Sequence, residues 1–235
     1  MKIAIISDIH GNIFALRSVM KEILRKKVDR IFFLGDLVGY YYHPREVYNL
    51  LKENNVSMIL GNHEHILFEI LTNQINLDEI RKIYGSGHKI ALEEFSLSEI
   101  TDLKSLPDSL EEKINGISLS FHHGSPFDNS CYIYPDAPIE LLNKCDTPAS
   151  FTFIGHSHHP FITKLENTIL VNVGSVGQSR QIGGYASWCL LNLKNNILEM
   201  QSTPYEINPL LELVAKYDSD IEYLSRVLKR NRIYE

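Results

Sequence analysis

Five short polar clusters in this chain carry side chains of the types that bind metal ions. Each follows directly after an apolar stretch or a turn, and their members are Asp8 with His10, Asp36, Asn62 with His63, His123, and His156 with His158. Carboxylate, imidazole and amide groups form a mixed oxygen and nitrogen ligand set, which suits divalent transition metals. Structural zinc sites are usually rich in cysteine, and no cysteine lies in these clusters. The clusters therefore predict a metal site other than structural zinc.

None of these clusters is decisive on its own. Asp8 and His10 could form a hydrogen-bonded pair in a loop, and Asp36 could simply cap a turn. His156 and His158 would present both rings on one face of an extended segment, yet such pairs are more often ordinary surface histidines. The complete set, in this order and each at a predicted strand end, favours one shared metal site.

The clearest strand in the sequence is the apolar run 31–34, which ends at Gly35 and Asp36. Such a run is typical of a strand buried on both faces. Gly35 permits a sharp turn, and Asp36 then stands at the carboxyl end of the strand, where open α/β sheets bind ligands. A carboxylate beside a core strand must be hydrogen-bonded, paired or bound to a metal. We expect the other clusters to assemble around Asp36.

The neighbouring elements bring further clusters to the same edge of the sheet. Residues 2–7 form a predicted first strand, and Asn12 caps a helix whose apolar residues recur at helical spacing. This strand–helix–strand order predicts a parallel sheet. A third strand is expected at 56–60, and it ends immediately before Gly61 and Asn62.

The second half of the chain contains more hairpin signals than the first. Asn115–Gly116 joins two predicted strands over 110–121. Further strands are expected at 150–154, 161–165, 168–173, 188–193 and 197–201. A single C-terminal helix is predicted from Pro209 to Arg230. Because no repeat or linker interrupts the sequence, we expect one α/β domain over residues 1–235, with two packed mixed β-sheets flanked by helices.

Composition and charge exclude several classes of protein. Of the 235 residues, 44% are hydrophobic and 22% charged, which is typical of a globular protein. The formal net charge of −6 gives no overall basic field for nucleic acid or an anionic membrane. The three cysteines lack CxxC spacing and suit a reducing compartment. The apolar run after Met1 is too short for a signal peptide or a membrane span, so we expect a cytoplasmic protein with no membrane partner.

Taken together, the motifs resemble those of the calcineurin-like metallophosphoesterase family. The matching segments are Asp8-X-His10, Gly35-Asp36-X-X-Gly39, Gly61-Asn62-His63-Glu64, His123-Gly124 and Gly155-His156-X-His158. Several longer segments, including 172–178, resemble the small single-domain bacterial and archaeal phosphodiesterase branch. That branch usually has proline where Val173 stands, and we expect this departure to affect local rigidity more than chemistry. The resemblance implies a four-layer α/β/β/α sandwich.

The resemblance also implies two metal ions that share Asp36. One ion would be held by Asp8, His10, Asp36 and His158, and the other by Asp36, Asn62, His123 and His156. A bridging carboxylate suits ions about 3.5–4 Å apart, and a water between them would have a lowered pKa and attack phosphorus. The ions would also neutralise charge in the transition state. Manganese is the expected metal, although iron, nickel, cobalt or zinc would also suit these ligands.

The resemblance also implies roles for other residues of these motifs. His63 matches the family's non-ligand histidine, which would stabilise the transition state or protonate the leaving oxygen. Glu64 is expected to orient a histidine ligand. His122 and His123 compete for one ligand position, and strand alternation lets only one of them point into the site. The family pattern has its ligand immediately before glycine, which favours His123.

Aromatic and basic residues near the motifs are candidate substrate contacts. Tyr40 and Tyr41 could stack on a base or an aromatic leaving group, and so could Tyr132 and Tyr134. The alternative is that these tyrosines only pack within the fold. Arg180 lies in a glycine-rich segment and could pair with a distal phosphate, or it could be an ordinary solvated arginine.

The sequence favours no oligomeric state. Three classes of function fit it. The preferred class is a metal-dependent phosphoesterase acting on a small phosphate ester, either a phosphodiester or a nucleotide. A nuclease with the same metal centre is the second, but the negative charge and the lack of a basic tract count against nucleic acid as a partner. The third is a non-catalytic interaction module on the same fold. That class predicts eroded catalytic positions, whereas His63 and every proposed ligand are present.

Overall fold

The computed structural model describes residues 1–231, which form two mixed five-stranded β-sheets packed face to face. The first sheet contains, in spatial order, β10 (Ile197–Pro204), β9 (Tyr185–Asn192), β1 (Lys2–Ile6), β2 (Arg30–Phe33) and β3 (Ser57–Met58). The second contains β4 (Ser109–Ile114), β5 (Ile117–His122), β6 (Phe151–Ile154), β8 (Ile169–Asn172) and β7 (Phe161–Lys164). Strands β1, β2 and β3 are parallel, as the strand–helix–strand order predicts.

Helices cover the outer faces and one end of the two sheets. They are α1 (Ile13–Arg25), α2 (Pro44–Glu53), α3 (Asn62–Leu71), α4 (Leu77–Tyr84), α5 (Gly87–Glu94), α6 (Leu97–Lys104), α7 (Ile139–Asn143), α8 (Asn208–Tyr217) and α9 (Glu222–Leu228). Helices α1 and α2 pack on the first sheet, and α7 packs on the second. Within residues 1–231, none of the helices combines the length and the apolar character needed to cross a bilayer.

Strand β1 is buried on both faces, and its side chains alternate between two apolar cores. Ile3 and Ile5 point into the layer between the sheets, whereas Ala4 and Ile6 point toward the helices. All four residues are fully buried. This alternation explains why the sequence of β1 is a continuous apolar run instead of a polar–apolar alternation.

An aromatic stack joins the two sheets close to the ends of their central strands. The rings of Phe32 in β2 and Phe121 in β5 are nearly parallel, with centroids 4.2 Å apart. Phe121 also stacks on Phe153 in β6, at 5.4 Å. Each of these strands is followed within three residues by one of the polar clusters. The stack therefore fixes the spacing of the sheets directly beneath those clusters.

Asn115–Gly116 forms the hairpin turn between β4 and β5, as predicted. Both residues have positive φ, 51° for Asn115 and 85° for Gly116, which a type I′ turn requires. The third strand is shorter than predicted, because only Ser57–Met58 of the range 56–60 belongs to a strand.

The prediction of one C-terminal helix over 209–230 is wrong, because the chain forms α8 and α9 with a break that begins at Asp218. The fully buried carboxylate of Asp218 accepts hydrogen bonds from the backbone N–H of Ser86 (2.8 Å), from Ser86 Oγ (2.6 Å) and from the Tyr42 hydroxyl (2.9 Å). These partners lie far away in the sequence, whereas Asp218, Ser219 and Asp220 are themselves weak helix formers that favour a break at this point.

Candidate metal centre

The loops that follow β1 and β2 are joined by backbone hydrogen bonds at one edge of the first sheet. The N–H of Asp8 donates to the carbonyl of Gly35 at 3.0 Å. The N–H groups of Ile9 and His10 both donate to the carbonyl of Asp36 at 2.9 Å. These bonds hold two of the polar clusters side by side, as expected for the carboxyl ends of parallel strands.

The loops of the second sheet reach the same edge. Oδ2 of Asp8 accepts the backbone N–H of His156 at 3.0 Å, which links the two sheets directly. The N–H of Gly155 donates to the carbonyl of His123 at 2.7 Å. The ligand-type residues of both sheets therefore converge at one place.

The first group of converging side chains is Asp8, His10, Asp36 and His158, all of them buried. His10 Nε2 lies 3.1 Å from His158 Nε2, 3.6 Å from Asp36 Oδ2 and 3.8 Å from Asp8 Oδ1. His158 Nε2 lies 3.1 Å from Asp8 Oδ1. These atoms surround a space into which each residue directs one nitrogen or oxygen.

A second group adjoins the first and shares Asp36 with it. Asp36, His123 and His156 form this group, and Asn62 completes it through its amide oxygen. His123 Nε2 lies 3.3 Å from Asp36 Oδ2, 2.9 Å from Asn62 Oδ1 and 3.1 Å from His156 Nδ1. All seven residues predicted as ligands are thus brought together.

Each of the four histidines in these groups uses one ring nitrogen to contact a backbone carbonyl. The contacts are His10 Nδ1 to Val38 (3.0 Å), His123 Nδ1 to Leu34 (2.8 Å), His156 Nε2 to Ser130 (3.0 Å) and His158 Nδ1 to Gln178 (2.8 Å). A carbonyl accepts only from N–H, so these contacts fix the tautomers and leave the other nitrogen of each neutral ring as a lone pair that faces the cluster. Such outer contacts are typical of histidines that bind metals.

Two features of the cluster require a positive charge at its centre. His10 Nε2 and His158 Nε2 lie 3.1 Å apart, and two lone pairs at this distance repel each other. Asp8 Oδ1 is buried and has no geometrically suitable hydrogen-bond donor among residues 1–231. A buried carboxylate oxygen without a donor is costly, and a bound cation would satisfy it. The donor set therefore fits divalent metal ions.

The protonation states of the cluster also suit metal ligands. Burial lowers the pKa of His10 to about 3 and that of His156 to about 4. Burial raises the pKa of Asp36, but the positive charge of His123 and its hydrogen bond to Asp36 bring that pKa well below its ordinary value. His123 differs, because the charge of Asp36 outweighs burial and raises its pKa to about 9. A metal ion would have to displace that proton.

Five of the residues predicted as ligands adopt left-handed backbone conformations. Their φ angles are 55° for Asp8, 52° for His10, 63° for Asp36, 61° for His156 and 59° for His158. This conformation costs a residue with a Cβ roughly 1–2 kcal/mol. Concentrated strain of this kind is typical of functional sites and must be balanced by surrounding contacts. No motif in the sequence reveals it.

Two glycines let backbone approach the cluster closely. A Cβ at Gly61 would collide with the carboxylate of Asp36, and a Cβ at Gly155 would collide with the side chains of Ser7 and Asp8. Any larger residue at these positions would displace a carboxylate of the cluster. The glycine that precedes each of these motifs is therefore needed for space.

His63 lies beside the cluster, not within it. Its Nε2 is 4.0 Å from Asp36 Oδ2, and its ring packs edge-on against His10 with centroids 4.8 Å apart. On its other side the ring is nearly parallel to that of His88, at 5.1 Å and 14°. Burial lowers the pKa of His63 well below its ordinary value. His63 is thus a neutral, buried imidazole at the edge of the site.

His88 is a site residue that the sequence motifs do not reveal. It is fully buried, and its Nε2 contacts the carbonyl of His63 at 3.3 Å. Its ring stacks on that of His63, with centroids 5.1 Å apart. The nearest sequence signal is the interruption Gly85-Ser86-Gly87, which brings the chain back toward His63.

The resemblance implied that Glu64 orients a histidine ligand, but in the structure Glu64 binds backbone N–H groups instead. Its carboxylate accepts four backbone N–H groups, from Asp36 (2.8 Å), Leu37 (2.8 Å), Val38 (3.1 Å) and Gly61 (2.8 Å). Burial and the charge of Asp36 raise the pKa of Glu64 to about 7, although the backbone hydrogen bonds lower it. Glu64 therefore holds together the two loops that carry Asp36 and Asn62.

Of the two adjacent histidines, only His123 points into the cluster. His122 Nε2 contacts Ser120 Oγ at 2.7 Å, on the other face of the strand. This arrangement agrees with the alternation expected along β5.

Three of the candidate substrate contacts, considered first, differ in their positions. Tyr41 is fully buried and its hydroxyl donates to the carbonyl of Leu224 at 3.3 Å, so it offers no surface to a substrate. Tyr40 is 7% exposed and packs edge-on against His10, with centroids 4.6 Å apart. Arg180 lies over the ring of Tyr223, at 5.4 Å from its centroid.

The sequence over residues 1–196 matches the profile of the calcineurin-like phosphoesterase superfamily domain. The chain belongs to this superfamily. It is also 32% identical over 232 residues to an uncharacterised protein of Methanocaldococcus jannaschii, an alignment that covers 91% of this chain and 92% of that protein. Membership of the calcineurin-like superfamily indicates a phosphate-ester hydrolase that uses divalent metal ions.

Two solved structures, one of a metallophosphoesterase and one of a hypothetical protein, share the fold of this chain over nearly its whole length. A hypothetical protein from Pyrococcus horikoshii superimposes with a TM-score of 0.82 at 20% identity, covering 98% of this chain and 99% of that one. A metallophosphoesterase from Sphaerobacter thermophilus superimposes with a TM-score of 0.77 at 26% identity, covering 97% and 98%. These similarities confirm the predicted α/β sandwich of two mixed sheets flanked by helices.

Proposed function

We propose that this protein is a metal-dependent phosphoesterase that hydrolyses phosphodiester or nucleotide-type substrates with two divalent cations. The observation that carries the proposal is the position of Asp36, which belongs to two adjacent groups of buried ligand atoms. A carboxylate shared in this way is the arrangement that two-metal hydrolytic sites use. Family membership supports the same general activity.

The ligand sets of the two cations follow from the two groups. One cation would be held by Asp8, His10, Asp36 and His158, and the other by Asp36, Asn62, His123 and His156. Manganese is the proposed metal, since mixed oxygen and nitrogen ligands without thiolate suit it. The bound cations would supply a nucleophilic water of lowered pKa and neutralise charge on the phosphoryl oxygens.

His63 would act on the substrate without holding a cation. Its buried, neutral imidazole can donate one N–H to a phosphoryl oxygen beside Asp36. The negative charge of a bound phosphate would raise the pKa of His63, because that charge stabilises the imidazolium form. His63 could then pass its proton to the leaving oxygen, as a general acid does.

The test is a comparison of metal-restored hydrolysis in matched variants. The protein is stripped with chelator and reloaded with manganese, and hydrolysis of bis-(p-nitrophenyl) phosphate is followed beside that of p-nitrophenyl phosphate. His65→Ala is the matched control for His63→Ala, since His65 lies two residues further along α3 and pairs with Asp108 at 2.7 Å outside the site. We expect His63→Ala to lose roughly 10²–10⁴-fold in kcat and His65→Ala to lose nothing.

The two substrates separate the possible outcomes. A higher kcat/KM for the diester than for the monoester would identify a phosphodiesterase. Absence of activity on both, with metal bound, would instead favour the non-catalytic interaction module.

A further inference from the structure

We propose that Tyr132 and Tyr134 form a base-binding surface beside the metal centre, and that Arg180 binds a second phosphate of the same ligand. The inference rests on the proposed function, because it names the substrate class of that site. The class is a nucleotide that carries at least two phosphate groups. Neither the superfamily match nor the ligand residues specify it.

Tyr132 and Tyr134 extend the site outward from a ligand histidine. The Tyr132 ring lies on His156, with centroids 3.9 Å apart, and the Tyr134 ring is parallel to that of Tyr132 within 8°, at 5.9 Å. Tyr134 in turn contacts His159 at 5.5 Å. The two tyrosines remain 48% and 41% exposed. A row of aromatic rings therefore leads from the cluster to the surface.

This aromatic row is held in place by the segment between its members. Ile133 is fully buried, so the alternation of the extended segment directs both tyrosines outward. The carbonyl of Ile133 accepts Ser157 Oγ at 2.9 Å, and the carbonyl of Ser130 contacts His156 Nε2 at 3.0 Å. Because the segment is fixed to the metal centre at two points, little ordering would be needed when a ligand binds.

A planar aromatic group suits this surface better than an aliphatic one does. Exposed tyrosine rings stack on nucleobases, and each ring offers a flat face with a polar edge. The reacting phosphate would sit at the cluster next to His156, so a base joined to it through a sugar lies within reach of the rings. The aromatic rings of Tyr132 and Tyr134 thus lie where the base of a nucleoside attached to the reacting phosphate would be.

Arg180 provides an unpaired positive charge near the same opening. Among residues 1–231, its Nε is buried and has no hydrogen-bond partner, and its guanidinium lies over the Tyr223 ring, 5.4 Å from the centroid. The carbonyl of Arg180 accepts a hydrogen bond from Arg230 Nη1 at 2.8 Å, which fixes the backbone there. A guanidinium group that stacks on a ring and keeps an unpaired N–H is suited to bind phosphate oxygens.

Aromatic rings connect Arg180 to the first ligand group. Its guanidinium lies 5.4 Å from the centroid of the Tyr223 ring, and that ring lies 6.5 Å from the ring of Tyr40. Tyr40 packs on His10 of the first group, whereas Tyr132 packs on His156 of the second. Arg180 therefore belongs to the same aromatic surroundings of the cluster as the two exposed tyrosines, and we place the second phosphate on that side.

The test measures binding, which does not depend on turnover. The full-length, manganese-loaded protein is freed of excess metal and titrated calorimetrically with two non-hydrolysable probes. One is α,β-methylene adenosine diphosphate, and the other is methylenediphosphonate, which has the same two phosphonate groups but no base. The variants are Tyr132→Leu and Arg180→Met. Their matched controls are Phe127→Leu, an aromatic that is 47% exposed in the same loop, and Arg25→Met, an exposed arginine of α1.

We expect a distinct pattern from each variant. Tyr132→Leu should weaken binding of the nucleotide probe roughly tenfold and leave methylenediphosphonate unchanged, because only the stacking contact is lost. Arg180→Met should weaken both probes roughly tenfold or more, because both carry the second anionic group. Neither control should alter either affinity.

Other patterns would overturn the proposal. Equal effects of Tyr132→Leu on both probes, or no effect on the nucleotide, would show that the tyrosines do not bind a base. Unchanged affinities in Arg180→Met would show that Arg180 does not bind the second anion. Failure of the proposed function is recognised separately, by absent hydrolysis of bis-(p-nitrophenyl) phosphate in the unaltered protein.

Discussion

The carboxylates of Asp36 and Glu64 hold each other's loops in place. Glu64 accepts the backbone N–H of Asp36 at 2.8 Å, and Asp36 accepts the backbone N–H of His63 at 2.9 Å. One carboxylate is directed at the metal centre and the other only at backbone. The position of the central ligand therefore depends on a buried acid that cannot itself reach a metal ion.

Replacing Glu64 with glutamine should weaken both the fold and metal binding. The amide NH₂ group would face backbone donors, so two of the four hydrogen bonds would be lost. We expect the free energy of unfolding to fall by about 2–4 kcal/mol and metal affinity to fall about 10–100-fold. Denaturant unfolding and metal titration measure the two effects. Glu69→Gln, an exposed change on the same helix, should alter neither.

Loss of His88 should affect turnover more than metal binding. His88 stacks on His63 but contacts none of the proposed ligands. His88→Ala would leave a void beside His63, and we expect kcat to fall about tenfold through misplacement of that ring. Metal content, measured by elemental analysis, should stay unchanged. His88→Phe keeps the stack and should recover most of the activity, and a failure to do so would argue against a positioning role.

Asp218 should be needed to keep the C-terminal helices attached. Removing its carboxylate would leave the hydroxyls of Ser86 and Tyr42 without their acceptor. We expect Asp218→Ala to lower the free energy of unfolding by about 3–5 kcal/mol and to expose 208–228 to proteases. Arg81 lies 3.3 Å from the carboxylate of Asp218 and 2.9 Å from that of Asp220, so Asp220→Ala, a change at an exposed partner of the same arginine, is the control. If both variants were equally stable, the buried contacts would be unimportant.

His122 should make the fold less stable in acid. Burial lowers its pKa in the folded protein to about 4, compared with about 6.5 for an unfolded chain. Between these values the unfolded chain binds more protons, so stability falls as the pH decreases from about 6.5 to about 4. His122→Gln should reduce the slope of the unfolding free energy against pH in this window. An unchanged slope in His122→Gln would show that His122 does not contribute to the acid sensitivity.

Removal of metal should lower the melting temperature. Without cations, the buried Nε2 atoms of His10 and His158 repel each other, and Asp8 Oδ1 lacks a hydrogen-bond donor. A ligand present at a hundred times its Kd stabilises the folded state by about 2.7 kcal/mol. We expect chelator to lower Tm and manganese to restore it. Asp36→Asn should greatly reduce this response, because it removes the charge shared by both ligand groups.

The sequence predicted the fold and the gathering of the polar clusters because both depend on local patterns. The apolar runs that end at Asp8, Asp36 and Asn62 mark neighbouring strand ends, and parallel strands must place those ends at one edge. The hairpin at Asn115–Gly116 likewise depends on two adjacent residues. In these places the local signal and the tertiary arrangement agree.

Long-range contacts explain the features that could not be predicted. Tyr41 is buried because α9 docks on it, and Asp218, where the C-terminal helices separate, binds Ser86 and Tyr42. His88 and His63 meet only after several helices have packed. Each contact joins residues far apart in the chain, and hydrophobic periodicity carries no information about such pairs.

The left-handed conformations of the ligand residues limit how this metal centre can change in evolution. Asparagine, aspartate, histidine and glycine tolerate such φ angles, whereas β-branched and bulky residues do not. At Asp8, His10, Asp36, His156 and His158, single substitutions can therefore exchange oxygen and nitrogen donors within a small set of residue types. A β-branched or bulky residue at any of the five positions would add backbone strain to the loss of a donor atom.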